Sequence, residues 1–179
     1  MKTIVIGDEV TSIGDNAFSD FHSITSVSFS KSVTSVGTNA FWNCDGLQSV
    51  VIPDNVTSIG DYAFNGCSSL ESAELHSQDI GKRSFSGLEA LKEVILGKEV
   101  RSIGTDAFNG CTSLAAIVIP DSVRTIANST FAGCTSLTSL QLPDSLTSID
   151  IDAFYGCKSL TSLSLPDSLS YIGSRAFQG

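Results

Sequence analysis

Residues 56–78, VTSIGDYAFNGCSSLESAELHSQ, contain one copy of a pattern that fills the whole chain. The phenylalanine in this stretch recurs every 23 residues, with a single interval of 21 residues. A fixed period in the twenties is typical of a solenoid, because one repeat cannot bury its apolar side without a neighbour stacked on it. The recurring positions are Phe18, Phe41, Phe64, Phe85, Phe108, Phe131, Phe154 and Phe177.

Each repeat contains two apolar patterns that predict β-strands. The longer pattern, Leu137-x-x-Leu140-x-Leu142, ends in strict alternation, so every second side chain should point inward. Proline follows this pattern directly in four repeats and ends the strand, since proline cannot donate a hydrogen bond to a ladder. The shorter pattern, residues 56–60 (VTSIG), predicts a second strand with Val56 and Ile59 pointing inward.

A D-x-A-F-x-G-C segment, as at residues 61–67, joins the two patterns. Asp is a good helix N-cap and Gly a good terminator, so the segment predicts one turn of α- or 3₁₀-helix. Stacking at about 4.8 Å per repeat then gives parallel β-ladders on two sides. The phenylalanines would form an internal spine.

Residues 1–179 read as a single solenoid of about seven to eight repeats. Full units begin near residues 10, 33, 56, 79, 100, 123 and 146, and residues 1–9 and 169–179 are half-repeats. We expect either that the native chain continues on both sides or that open ends stack head to tail. The unit starting at Asp79 has lost its V-T-S segment and predicts an interruption of the second, short-strand sheet.

The repeat resembles that of the BspA-type, or treponeme-type, leucine-rich repeat family. The motif I-P-x-S-V-T-S-I-G-x-x-A-F-x-G-C-x-S-L-x-S-L is matched by residues 119–140 with small departures, such as Thr130 in place of Ala. The resemblance covers essentially the whole chain. It implies a leucine-rich-repeat solenoid, mostly β, in a protein of the bacterial or protozoan cell surface. Several relatives are adhesins that bind host matrix or plasma proteins.

Composition excludes several classes of partner. The net charge is −9 and lysines and arginines form no cluster, which argues against nucleic acid and anionic membrane surfaces. No apolar run approaches the length of a membrane span, so no membrane insertion is expected. The first residues do not form a signal peptide, which favours a fragment of a longer chain.

The five cysteines each stand three residues after a column phenylalanine. Two other repeats have Phe21 and Leu88 at that place, so the position reads as a buried slot in which Cys acts as a small hydrophobe. Disulfides between neighbouring repeats are a weaker alternative, and a metal site is weaker still because no paired C-x-x-C ligands occur. The cysteines are Cys44, Cys67, Cys111, Cys134 and Cys157.

No combination of residues predicts catalysis or a cofactor. His22 and His76 fall on different faces two repeats apart, and both read as solvated turn residues. Recurrent Ser and Gly residues occupy structural columns and form neither a nucleophile elbow nor a phosphate loop. We therefore expect a protein that is not an enzyme and that holds no metal ion.

The outward middle position of the longer strand carries more information. It includes Val51, Glu74, Ile95, Val118 and Gln141, with Ala115 beside the apolar pair Ile95 and Val118. Exposed apolar clusters mark interaction sites. β-Branched residues are also good strand formers, which explains the same residues without a partner.

Trp42 and Tyr155 each follow a column phenylalanine and are candidate aromatic anchors. The sequence thus predicts a non-catalytic protein-binding module, part of a surface adhesin that contacts host proteins. The alternative is a structural spacer with no ligand of its own.

Overall fold

The computed structural model describes residues 2–179 as a stack of turns in which long and short strands alternate. All strand pairings are parallel. The long strands are β1 (Lys2–Val5), β3 (Ile24–Ser28), β5 (Ser49–Ile52), β7 (Ser72–Leu75), β9 (Glu93–Leu96), β11 (Ala116–Val118) and β13 (Ser139–Gln141). The short strands are β2 (Ser12–Ile13), β4 (Ser35–Val36), β6 (Ser58–Ile59), β8 (Asp79–Ile80), β10 (Ser102–Ile103), β12 (Thr125–Ile126), β14 (Ser148–Ile149) and β15 (Tyr171–Ile172).

The phenylalanine column is the centre of the core, and the predicted spine is confirmed. Neighbouring rings stack with their centroids 5.1–5.6 Å apart and their planes within 18° of parallel. The inward residues of both strand patterns are also buried, for example Val56, Ile59 and Leu75. The predicted class, a mostly β solenoid with parallel ladders, is therefore confirmed.

The predicted turn of α- or 3₁₀-helix is wrong, because residues 2–179 contain no helix. The residue two places before each column phenylalanine has a left-handed backbone, with φ between 52° and 57°. A left-handed residue cannot continue a right-handed helix, so the segment folds as consecutive tight turns. The predicted N-cap Asp61 instead accepts a hydrogen bond from the backbone N–H of Lys82 in the next repeat, at 2.8 Å.

These turns form a third hydrogen-bonded ladder that runs along the stack. The N–H of Phe41 donates to the carbonyl of Ala63 at 2.8 Å, and the equivalent bond recurs from Phe18 through Phe154. The turns of neighbouring repeats are therefore tied together even where the strands are not.

The short-strand sheet is not interrupted at the short repeat, so that prediction is also wrong. β2, β4, β6, β8 and β10 form one sheet, in which Asp79 pairs with Ser58 and Ile80 with Ile59. The two missing residues correspond to Asp54 and Asn55 of the preceding repeat, which follow the long strand and its proline, so the deletion shortens only a turn. The sheet breaks later, between β10 and β12.

The long-strand sheet is continuous only across β5, β7 and β9. At the end of β7, the N–H of His76 donates to the carbonyl of Ile52 at 3.0 Å. At the end of β9, the N–H of Gly97 donates to the carbonyl of Leu75 at 2.8 Å. His76 and Gly97 occupy the position that is proline in four other repeats, and both supply the N–H that proline lacks.

Proline at this position accompanies the breaks in the long-strand sheet. Pairing is absent between β3 and β5, between β9 and β11, and after β13. The strands β11 and β13 stay paired although proline stands at this position there too. In that pair, the N–H of Ile119 donates to the carbonyl of Gln141 at 2.9 Å. The prolines at the three breaks are Pro53, Pro120 and Pro166.

Candidate functional site

The outward positions of the long strands lie side by side on one surface, here called the strand face. In β5, β7 and β9 the register pairs Val51 with Glu74 and Glu74 with Ile95. In the next pair of strands, Val118 is opposite Gln141. The six candidate residues of this surface, Val51, Glu74, Ile95, Ala115, Val118 and Gln141, therefore lie on or directly beside the strand face, and their role in binding stays a prediction.

Three branched apolar side chains of this set are exposed. The exposed fractions are 52% for Val51, 46% for Ile95 and 57% for Val118. Ala115 and Ala116 are exposed beside them. Removing such surface from water is favourable, so a partner that covered the strand face would gain free energy of binding from it.

A shallow groove of about 270 Å³ separates β9 from β11. No strand pairing joins the two, and Pro120, the second residue after β11, has no N–H to offer the carbonyl edge of β9. Ile95 and Val118 lie on opposite sides of the groove, with Ala116 beside Val118.

Acidic side chains border the apolar residues. Glu71 is paired with Lys92, whose Nζ lies 3.0 Å from its Oε2. Glu93 is exposed and makes no ion pair within residues 2–179. The groove therefore carries an uncompensated negative charge at one end.

His76 is held between two carboxylates, so the expectation of a solvated turn residue is wrong. Its Nε2 lies 2.8 Å from Oε1 of Glu74, and its Nδ1 lies 3.1 Å from Oδ1 of Asp54. The side chain of His76 is only 27% exposed. This cluster borders the strand face and fixes the side chain of Glu74.

Trp42 and Tyr155 lie elsewhere, on the edge formed by the tight turns. They are 39% and 44% exposed. The guanidinium of Arg175 lies over the ring of Tyr155, 5.8 Å from its centroid, and is bonded to Asp152 through two hydrogen bonds of 2.9 and 2.6 Å. The structure therefore does not bring the two aromatic residues into the strand face, and their role as anchors stays a prediction.

Sequence reasoning missed Glu93 and the contacts of His76. Glu93 could have been found, because it is the one charged residue at a position that other repeats fill with Ser or Ala. The equivalent residues are Ser72, Ala116 and Ser139. The contacts of His76 left no signal in the pattern, since they depend on how the shortened turn places its ring.

The cysteines are buried and free, as the sequence predicts. Each thiol also donates to the carbonyl of the phenylalanine 26 residues earlier, at 3.1–3.3 Å, so the slot is not purely apolar. Burial raises the pKa of Cys111 to about 12 and that of Cys157 to about 11. Such thiols stay protonated at neutral pH and are poor nucleophiles.

The described part of the chain has neither a cluster of metal ligands nor a membrane-spanning helix. No group of three or more His, Cys, Asp or Glu side chains in residues 2–179 is arranged to hold a metal ion. The same residues include no helix that is long and apolar enough to cross a membrane.

Several solved structures share this fold. A leucine-rich repeat protein of T. pallidum is 30% identical over 89% of this chain and 78% of its own, with a TM-score of 0.84. A leucine-rich repeat protein of Bacteroides ovatus is 24% identical, with a TM-score of 0.74, over 98% of this chain and 63% of its own. A leucine-rich cell surface protein of Faecalibacterium prausnitzii is 23% identical, with a TM-score of 0.61, over 97% of this chain and 60% of its own.

No curated protein matches the chain. The model of the BspA type leucine-rich repeat region matches residues 1–115 and 78–179, in six copies. These two ranges together cover every repeat, and the treponemal structure reproduces their stacking. The chain belongs to the BspA-type leucine-rich repeat family.

Proposed function

We propose that the chain is a non-catalytic protein-binding module and that the strand face is its binding surface. The observation that carries this proposal is the exposure of Val51, Ile95 and Val118 on one sheet face. At the same outward position, β3 has Ser28, which shows that the strand does not require an apolar residue there. Two of the exposed apolar residues, Ile95 and Val118, line one groove, and adjacent exposed apolar side chains mark interaction sites.

The parent protein is proposed to be a surface adhesin that contacts host proteins. The F. prausnitzii protein with the same fold is described as a cell surface protein. The family resemblance points to matrix and plasma proteins as partners. A continuous ladder of hydrogen bonds joins the turns of neighbouring repeats, and such a rigid rod is suited to presenting a binding surface outside the cell.

Binding of the purified chain to immobilised fibronectin, fibrinogen and other matrix and plasma proteins tests the proposal. Saturable binding should be lost in the double variant Ile95→Ser, Val118→Ser. The matched control is Val5→Ser, which removes a 74% exposed valine from the same face at β1, far from the groove. The control should bind as the unmodified chain does.

A structural spacer is the second candidate, favoured by the unbroken stack of phenylalanine rings. Such a rod can hold another domain at a distance without any ligand of its own. No binding to any protein of the panel, by a chain shown to be folded, would support the spacer and overturn the adhesive role.

A further inference from the structure

The groove between β9 and β11 differs at its two ends. Glu93, at the start of β9, is charged, exposed and without an ion pair in residues 2–179. At the other end, Ile95 and Val118 form the apolar walls, and Leu96 lines the groove with them. A ligand that fills the groove therefore contacts a negative charge at one end and apolar side chains at the other.

The distance between these two features matches an extended chain. Glu93 and Ile95 are two residues apart on the same side of one strand, which corresponds to roughly 6–7 Å. An extended peptide also presents every second side chain on one side, at the same spacing. Two side chains of one extended ligand can thus reach both ends of the groove.

We propose that the occupant of this groove is an extended protein segment with a Lys or Arg two residues from a large apolar side chain. The cation lies against the carboxylate of Glu93, and the apolar side chain lies between Ile95 and Val118. Glu74 lies beside Ile95 in the register but does not line the groove, and its carboxylate contacts His76. This inference rests on the proposed protein-binding function and specifies the chemistry of the partner.

A second groove in the same sheet supports this assignment by contrast. It lies after β13, where the long-strand sheet is again unpaired, and its outward residues are Ser139, Ser162 and Ser164. This second groove therefore also lies where long strands are unpaired, but it has neither a charged residue nor an exposed apolar side chain. The ligand preference of the β9–β11 groove comes from its side chains and not from the break in the sheet.

Selection of random displayed heptapeptides on the purified full chain tests the inference. The unmodified chain should enrich peptides with Lys or Arg two positions from Leu, Ile, Val or Phe. The variant Glu93→Lys should instead enrich peptides with Asp or Glu at the charged position. The matched control is Glu89→Lys, the same charge change at an exposed residue outside the groove, and it should select as the unmodified chain does.

The most enriched peptide is then measured by fluorescence anisotropy. Glu93→Lys should weaken its binding roughly tenfold, whereas Glu89→Lys should change it by less than about twofold. Ile95→Ser should also weaken binding. Failure to enrich any peptide, or enrichment of the same motif by the unmodified chain and by Glu93→Lys, overturns the inference.

The two proposals fail in different ways. In one outcome, a protein of the panel binds the unmodified chain, its binding is lost in the double variant Ile95→Ser, Val118→Ser, and its binding is unchanged by Glu93→Lys. The strand face is then a binding surface, and the cation-plus-apolar partner is wrong. If neither a protein nor a peptide binds the folded chain, both proposals fall together.

Discussion

Ser77 and Ser84 lie on either side of β8 and are both fully buried, but only one has a hydrogen-bond partner. The hydroxyl of Ser84 donates to the carbonyl of Gly81 at 2.9 Å. The hydroxyl of Ser77 has no partner, and it occupies the core position that Val56 and Val100 fill in the neighbouring repeats. A buried hydroxyl without a partner has lost its hydrogen bonds to water and gained nothing in return.

The same substitution should therefore have opposite effects at these two serines. Ser77→Ala removes an unsatisfied hydroxyl and is expected to raise the free energy of unfolding by about 1 kcal/mol. Ser84→Ala removes a satisfied one and is expected to lower it by about 1 kcal/mol. Urea denaturation of both variants measures the two shifts. A Ser77→Ala variant less stable than the unmodified chain would contradict the prediction.

The buried thiols make stability depend on alkaline pH. The pKa of Cys111 is raised from 9.0 to about 12 by burial, so the folded state favours the protonated thiol. The unfolded chain begins to lose this proton near its ordinary pKa, while the folded chain does not. The stability contributed by Cys111 is therefore complete below about pH 9 and falls as pH rises towards 12, by about 1.4 kcal/mol per pH unit.

Replacing this thiol should flatten the pH profile. Cys111→Ala is expected to lower stability at neutral pH, because the bond from Sγ to the carbonyl of Phe85 at 3.2 Å is lost. The difference from the unmodified chain should shrink by about 1 kcal/mol between pH 9 and pH 10, because the unfolded thiol is only half ionised at pH 9. Urea midpoints across this pH range give the comparison. If the stabilities of the two proteins change in parallel with pH, the thiol of Cys111 has the same pKa in the folded and the unfolded chain, which would contradict the prediction.

Each long strand can be followed by one backbone N–H that bonds to the preceding repeat, and three of the four repeats with proline there have lost a strand pairing. His76→Pro should abolish the bond to Ile52 and weaken the pairing of β7 with β5. We expect the variant to lose about 1–3 kcal/mol of stability. Amide hydrogen exchange in Ser72–Leu75 should become faster.

His76→Ala is the control for that experiment, since it keeps the N–H and removes only the contacts with Glu74 and Asp54. Partly exposed contacts between a side chain and a carboxylate contribute about 0–1 kcal/mol. Exchange in β7 should therefore stay slow. Equal acceleration in both variants would mean that the ring, and not the N–H, holds the strand.

The parts of the fold that repeat were predictable, and the exceptions were not. The period and the phenylalanine spine follow from the 23-residue spacing, and the inward and outward positions of the long strands follow from the alternation within each repeat. The left-handed residue in each turn was missed, although Asn16, Asn39, Asp106 and Asp152 belong to the residue types that favour such a backbone. The groove was missed because the repeat pattern does not tell which neighbouring long strands pair.

At the scale of the whole molecule, the stack is a line of contacts between neighbouring repeats, so its weakest junction controls local opening. The repeat of residues 100–122 has lost one strand pairing at each of its two junctions. The long strands are unpaired on one side of that repeat, between β9 and β11, and the short strands on the other, between β10 and β12. Across both junctions the turn ladder persists, with bonds of 2.9 Å from Phe85 to Ala107 and from Phe108 to Thr130.

Local opening should therefore begin next to this repeat, and limited trypsin digestion can locate it. The first cut is expected after Lys98, whose side chain is 92% exposed in the turn between β9 and β10. Arg83 serves as an internal control, because its guanidinium is bonded to Asp106 at 3.0 Å and its turn belongs to the continuous ladder. Cleavage depends on the free energy of opening when opening is fast. A first cut after Arg83 would show that the turn ladder, and not the broken strand pairing, is the weakest link in the stack.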